Sequence, residues 1–284
     1  MNSGYVHRYP GESGTMNVPV AMVRNQKLLK RRTDKVAVEE PLQITVSYNG
    51  SKTRNYAIIM RTPTMDKFLG TGFLFSEGTI RSPEDIISVR NVKDDGIAID
   101  NTIEFDLKHE FKSVHGRNFV VNSSCGVCGK NSVDDIFLRI GRINRSSLRV
   151  TSDFITELPK RLIEYQVVFE ETGGVHAAAI FDEDGKMLIS AEDVGRHNAV
   201  DKVIGHMLWN HLLPAWNFIM QVSGRAGFEI VQKAAIAGIP IVSSVSAPSS
   251  LSIEAADVLG ITLICFVREN GFNVYTHQER IIFE

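Results

Sequence analysis

The regular pattern of the chain begins at Leu42, where Leu42, Ile44, Val46 and Tyr48 alternate with Gln43, Thr45 and Ser47. A period of two puts each set on its own face and so predicts a half-buried strand. Asn49-Gly50 turns the chain and the apolar run Tyr56 to Met60 returns it, a hairpin signature. Thr64 is placed to cap a helix carrying Phe68, Leu69 and Phe73 and ending near Gly78. Ile86 to Val92, Gly96 to Ile99 and Thr102 to Leu107 read as further strands. Residues 36–121 are therefore expected to form a small β-rich module with one helix.

From residue 122 onward strands and helices alternate. Ser132 and Asp135 open a helix to Ile140, and Leu158, Leu162, Tyr165 and Phe169 mark a second amphipathic helix that Gly173-Gly174 stops. Strands follow at Val175 to Phe181 and Met187 to Ala191, joined by Asp182-Glu183-Asp184-Gly185. Next come a helix from Arg196 to His211, a strand Phe218 to Val222, a helix Gly227 to Ala237, a strand Ile239 to Val245, a helix Ser249 to Leu259 and a strand Ile261 to Val267. Strand–helix–strand units of this length predict a largely parallel sheet with helices over its faces, an α/β fold for residues 122–284.

A length of 284 residues allows one large domain or two modest ones. With 31 Lys and Arg against 33 Asp and Glu, the net charge of −2 supplies no global field for nucleic acid. Lys27, Lys30, Arg31, Arg32 and Lys35 crowd residues 1–35, which read as a flexible, solvated basic lead-in. The longest apolar run, Ile261 to Val267 with Thr262 inside it, is far short of the ~18 residues a membrane span needs. Arg8, Pro10 and Gly11 break the N-terminus where a secretory segment would be apolar, so a cytoplasmic protein is expected. Three cysteines make no disulfide framework and suit a reducing compartment.

Two of those cysteines stand together in Ser123-Ser124-Cys125-Gly126-Val127-Cys128-Gly129-Lys130. Glycines and small polar residues place Cys125 and Cys128 on an exposed loop, and Lys130 with the following helix start favours thiolate over thiol. Three chemistries compete. A structural zinc site would need two histidines beyond Cys125 and Cys128, and His115, His176 and His197 lack a paired spacing. A zinc deaminase would show His-x-Glu before Pro-Cys-x-x-Cys, which this chain lacks. A thioredoxin-like redox pair would open a helix directly after a strand, whereas Gly126, Gly129 and Asn131 keep this pair in a loop; against zinc and against a pair with no chemistry, sulfur or redox chemistry is the reading preferred here. Cys265, inside an apolar strand, reads as a small core residue.

Two strands run into glycine- and serine-rich turns and then helices, at Ser223-Gly224-Arg225-Ala226-Gly227 and at Ser246-Ala247-Pro248-Ser249-Ser250. Open α/β sheets bind ligands at that edge, where helix N-termini offer N–H groups to phosphate. With Arg196, His197, Arg225 and Arg268 in the same regions, an anionic, nucleotide-containing ligand is expected.

Together with Gly173-Gly174-Val175-His176-Ala177-Ala178, Glu192-Asp193-Val194-Gly195-Arg196-His197-Asn198-Ala199-Val200-Asp201-Lys202 and Ser223-Gly224-Arg225, the cysteine motif makes residues 35–284 resemble the formate dehydrogenase accessory sulfurtransferase family, FdhD/NarQ. The resemblance implies a cytidine-deaminase-like three-layer C-terminal domain behind the smaller β-rich module, and a homodimer. It implies transfer of sulfur from a cysteine desulfurase to the molybdenum bis(molybdopterin guanine dinucleotide) cofactor, bound as substrate, before that cofactor enters the formate dehydrogenase apoenzyme. Cys125 would hold the persulfide and Cys128 assist or resolve it. Phe266, Val267, Arg268, Glu269, Asn270 and Gly271 would lie at the cofactor site, Arg225, His197 and Ser223 would join them, and a guanine nucleotide alone could occupy it. No resident metal is expected. A passive cofactor-binding chaperone and a zinc-dependent deaminase relative are the alternatives.

Overall fold

The computed structural model describes residues 14–94, 97–110, 119–121 and 146–283. The Cys125–Cys128 pair and the helix expected at 132–140 lie outside the described residues. Residues 15–35, expected within a flexible lead-in, instead pair with the residues that follow as an antiparallel hairpin, β1 (Thr15–Arg24) with β2 (Lys27–Ala37). Asn25 and Gln26 make its turn with φ +48 and +61, a two-residue geometry that matches strand twist. Val18, Val20 and Met22 alternate on its half-buried face, a period the surrounding charges obscured. Lys35 and Thr15 both bind the Glu171 carboxylate, which ties the hairpin to the body.

The expected hairpin is β3 (Glu40–Tyr48) with β4 (Arg54–Arg61). Helix α1 (Asp66–Ser76) follows. Its N-cap is Met65 with φ +58 and no side-chain cap, whereas Thr64 Oγ1 accepts a bond from Lys202 Nζ, so tertiary contact overrides the local capping expected of Thr64. Past β5 (Ile86–Asp94), the two short strands expected at 96–107 are one strand, β6 (Ile97–Leu107), bent at Asn101 with φ +64. With β7 (Phe119–Val121) these make a five-stranded sheet in the order β5-β6-β3-β4-β7.

After β8 (Val150–Thr151), the single helix expected through Phe169 is broken in two, α2 (Ser152–Ile163) and α3 (Val167–Thr172). The Thr151 hydroxyl accepts from Phe154 N to cap α2, and Gly173 with φ +65 ends α3. Then come β9 (His176–Phe181), β10 (Met187–Asp193), α4 (Arg196–Trp209), β11 (Ile219–Val222), α5 (Phe228–Ala237), β12 (Ile241–Ser244), α6 (Ser250–Leu259), β13 (Thr262–Arg268) and β14 (Gly271–Val274). Their sheet has the order β10-β9-β11-β12-β13-β14. It is mixed rather than largely parallel: β11, β12 and β13 run parallel, but β9, β10 and β14 enter through tight turns that force antiparallel pairing. β15 (Ile281–Ile282) pairs with β8.

Alternation across this sheet sorts its side chains onto two faces. Ala178, Ile180, Met220, Val222, Val242 and Leu263 pack with α4, α5 and α6, while Ala177, Ala179, Phe181, Ile219, Ile241 and Ile264 pack with Ile155, Leu158 and Leu162 of α2. Three layers result. The first of these cores runs on without a break into Leu42, Ile44, Ile59, Leu69 and Phe105, so the β-rich region and the α/β region share it. Helices α1 and α4 make the join backbone against backbone. A Cβ on Gly72 would stand 1.9 Å from Asp201 O, and one on Gly205 would stand 2.0 Å from Phe68 O.

Candidate functional site

The carboxyl ends of β11, β12 and β13 point to one edge of the six-stranded sheet. Because β9 runs antiparallel to β11, its first residue His176 reaches the same edge, and β10 delivers Asp193 and the start of α4 there. The turns are laced together. Ser223 N donates to Ala177 O, Ala177 N donates to Ser223 Oγ at 2.7 Å, Ser244 Oγ donates to Gly224 O at 2.6 Å, and Ala226 N donates to Ala247 O. Ser223 thus holds the frame of the site.

A Cβ on Gly224 would come within 3.0 Å of His176 Nδ1 and 3.7 Å of Arg196 Cβ, so glycine lets the imidazole and the arginine stem close on the backbone. Burial lowers the His176 pKa, and the charges of Arg196 and Arg225 lower it further against Asp193. Arg196 is itself lowered, first by burial and then by Arg225, with Glu229 opposing. Arg196 Nε is buried and has no hydrogen-bond partner. An Arg196 guanidinium disfavoured by burial and by Arg225, beside an imidazole disfavoured by the same two charges, is an arrangement that an anion would relieve.

His197 lies one residue further along α4, with Nε2 3.0 Å from Glu229 Oε2. The pair is outside hydrogen-bond alignment, since both ring nitrogens lack a partner. Burial, with the charges of Arg196 and Lys233 behind it, pushes the imidazole down to about 3, so it is neutral at physiological pH and the contact is no ion pair. Its charge therefore adds nothing to the cluster, contrary to a cationic reading of His197.

The helix N-termini at this edge differ. Ser249 and Ser252 close a capping box at the start of α6, Ser252 N donating to Ser249 Oγ and Ser249 N to Ser252 Oγ. Gly195 and Gly227 cap α4 and α5 without any side-chain bond, leaving first-turn N–H groups beside Arg196 and Arg225. Of the two turns expected to bind phosphate, the one at Ser223–Gly227 leads into a helix start with no side-chain cap and the one at Ser246–Ser250 into a capped one.

The 266–271 turn adjoins through Phe266 N, which donates to Ser246 O, and through Arg268 Nη1, which donates to Val245 O at 2.6 Å and Val267 O at 2.7 Å. Phe266 sits at a bulge with φ +56 and its ring 42% exposed, a backbone state that costs an L-residue about 1–2 kcal/mol. Glu269 and Asn270 are exposed, and Gly271 opens β14. Val267 is fully buried in the α2-side core, so its side chain belongs to packing and not to the site expected of it. Cys265 is also buried, its thiol pushed up to about 12, which rules it out as a nucleophile at neutral pH.

Beside the cluster, on the α2 face, opens a cleft of about 460 Å³ lined by Pro159, Leu162, Phe169, Val175, His176 and Ser223 among others. The sequence reading missed this wall, and it missed the buried polar residues behind Arg196. Lys202 is fully buried with Nζ 2.7 Å from Asp193 Oδ2, also fully buried. The density of charged and polar residues from Glu192 to Lys202, in a run that turns a strand into a buried helix, was the available signal. Among the described residues no group of three His, Cys, Asp or Glu side chains could hold a metal.

This fold and edge define a three-layer α/β protein with a pair of arginines and a histidine clustered at its strand ends. The chain belongs to the FdhD/NarQ family, whose description matches residues 37–282. It is 50% identical over 251 residues to the sulfur carrier protein FdhD of Thermoplasma volcanium, covering 88% of this chain and 90% of that one. It is 42% identical over 261 residues to the protein of the same name from Streptomyces coelicolor, covering 88% and 90%. Among solved structures it resembles, with a TM-score of 0.75 and 23% identity over 95% of this chain and 100% of the other, a Desulfotalea psychrophila protein assigned provisionally as a formate dehydrogenase accessory protein.

Proposed function

We propose that the chain is a sulfurtransferase that relays sulfur as a persulfide on Cys125, from a cysteine desulfurase to the molybdenum bis(molybdopterin guanine dinucleotide) cofactor destined for formate dehydrogenase. The observation that carries the reading is the pair of mutually repelling arginines, Arg196 and Arg225, beside uncapped helix starts, in a chain half-identical to proteins called sulfur carriers. Such a site suits the diphosphates of the cofactor, and the adjoining cleft and the Phe266 ring suit flat heterocycles. Within this reading the three layers are those of a cytidine-deaminase-like fold, and the chain acts in the cytoplasm as a homodimer.

Chain geometry supports the cysteine assignment. Val121 pairs with Ile59, three residues before Thr62, and Thr62 N donates to Asp193 behind the arginines. Cys125 follows Val121 by four residues, a reach of at most about 14 Å. In loading, the Cys125 thiolate attacks the outer sulfur of the donor persulfide, a new S–S bond forms, and the donor cysteine leaves as thiolate. In unloading, the Cys128 thiolate attacks the inner sulfur of the Cys125 persulfide and hydrosulfide departs to the molybdenum. The resulting Cys125–Cys128 disulfide has supplied the two electrons, and a thiol reductant reopens it.

Incubation with a cysteine desulfurase and cysteine is expected to add the mass of one sulfur atom, read by intact-protein mass spectrometry. Cys125→Ala abolishes the gain, and an unchanged gain in that variant overturns the assignment. A Cys125→Ser protein that still activates formate dehydrogenase would make the chain a passive cofactor chaperone.

A further inference from the structure

Behind the arginines lies a polar network that the proposed transfer does not use. Asp193 Oδ1 accepts from Gly195 N and Asn198 Nδ2, both at 2.8 Å. Asp193 Oδ2 accepts from Thr62 N at 3.2 Å and faces Lys202 Nζ at 2.7 Å. Lys202 Nζ also donates to Thr62 O and Glu192 O, both at 3.0 Å, and to Thr64 Oγ1 at 3.3 Å. Val194 N donates to Thr62 Oγ1 at 3.1 Å, and Asn198 Nδ2 reaches Met60 O at 2.8 Å.

Burying two charges costs desolvation that an apolar pair of equal size would avoid, so stability alone does not call for them. Location points to another use. Asp193 Oδ1 accepts from Gly195 N and from the Asn198 side chain, so it clasps both ends of the first turn of α4, the turn that carries Arg196 and has no side-chain cap at Gly195. A Cβ on Gly195 would stand 2.8 Å from Asn198 Nδ2, so only glycine admits this arrangement. The same two charges grip Thr62 and Thr64, just past the end of β4, the strand paired to the one that leads to Cys125.

We propose that Asp193 and Lys202 are positioning residues. They set Arg196 and the start of α4 for an incoming diphosphate and fix that site to the strand pair β4–β7. The inference rests on the anion-site reading above.

The test measures guanosine diphosphate affinity by calorimetry, with melting temperature and Cys125 persulfide loading measured alongside. Asp193→Asn keeps the shape and removes the charge, and it is expected to weaken diphosphate binding about tenfold or more while leaving persulfide loading intact. Thr62→Val, a milder change that removes only the acceptor of Val194 N–H, keeps the measurement open if Asp193→Asn does not fold, and should weaken binding severalfold. Ser76→Ala is the control. It cuts a bond to the Asp201–Lys233 pair farther along α4 and should lower the melting temperature without moving the diphosphate Kd. Wild-type affinity in folded Asp193→Asn and Thr62→Val, or equal weakening by Ser76→Ala, overturns the positioning role alone. Wild-type protein that binds no diphosphate overturns the anion-site reading and this inference with it.

Discussion

Helix α4 carries two neighbourhoods built on opposite terms. Its middle, around Asp201 and Gly205, presses on α1 with no side chain between the backbones, and its buried Asp201 is matched by Lys233 and Ser76. Its first turn holds Arg196 and the neutral His197, with polar atoms left without partners. Packing leaves the middle a single arrangement, whereas the first turn keeps unmet electrostatic demand that a ligand can satisfy. Stability and binding capacity thus occupy different turns of one helix, which makes them separable by mutation.

The sharpest way to break that comparison is at the packed end. Gly205→Val would drive a side chain into Phe68 O, where the neighbour is backbone and cannot turn aside. Destabilisation by more than about 3 kcal/mol, or failure to fold, is expected in urea unfolding. A stable Gly205→Val protein would mean that the two helices do not cross as described.

At the other end, acid should reveal the first turn. His197 has a folded pKa of about 3 against an ordinary 6.5, so the unfolded chain takes up a proton that the folded chain refuses. Stability from this source is constant above about pH 6.5 and falls as the pH drops toward 3, by up to about 1.4 kcal/mol per pH unit. His197→Gln should therefore lose less stability than the wild type between pH 7 and pH 5, measured by urea midpoints. Parallel curves for the two proteins would remove His197 from the account.

The contrast also explains what the sequence could disclose. Strands and helices between residues 175 and 268 were readable to within about two residues, because Gly and Ser punctuate an apolar period and both signals are local. The mixed character of the sheet was not, since partner and direction depend on how turns bring distant strands together. Thr64 read as a cap and became a ligand of Lys202, a bond across 138 residues. The 15–37 hairpin was hidden for a different reason, its weak alternation lying beneath a run of positive charge. At the site, Ser223, Arg225, Arg268 and Phe266 were placed at the edge by motif position, but Val267 faced the core and His197 proved uncharged. Asp193 and Lys202 could be seen in the motif without any indication that they meet.

The smallest expected effect is also the most specific. Arg225 is exposed and supports no core contact, so Arg225→Ala should change folding stability by less than about 0.5 kcal/mol. Its charge, however, lowers the pKa of both His176 and Arg196. Removing it should raise the His176 pKa toward the ordinary value, a shift visible in an NMR titration of the imidazole, and should weaken diphosphate binding because one of the two cations is gone. A protein whose His176 titration and diphosphate affinity are both unmoved by Arg225→Ala would show that the two arginines do not share a field. The first turn of α4 would then be no more poised for an anion than its middle.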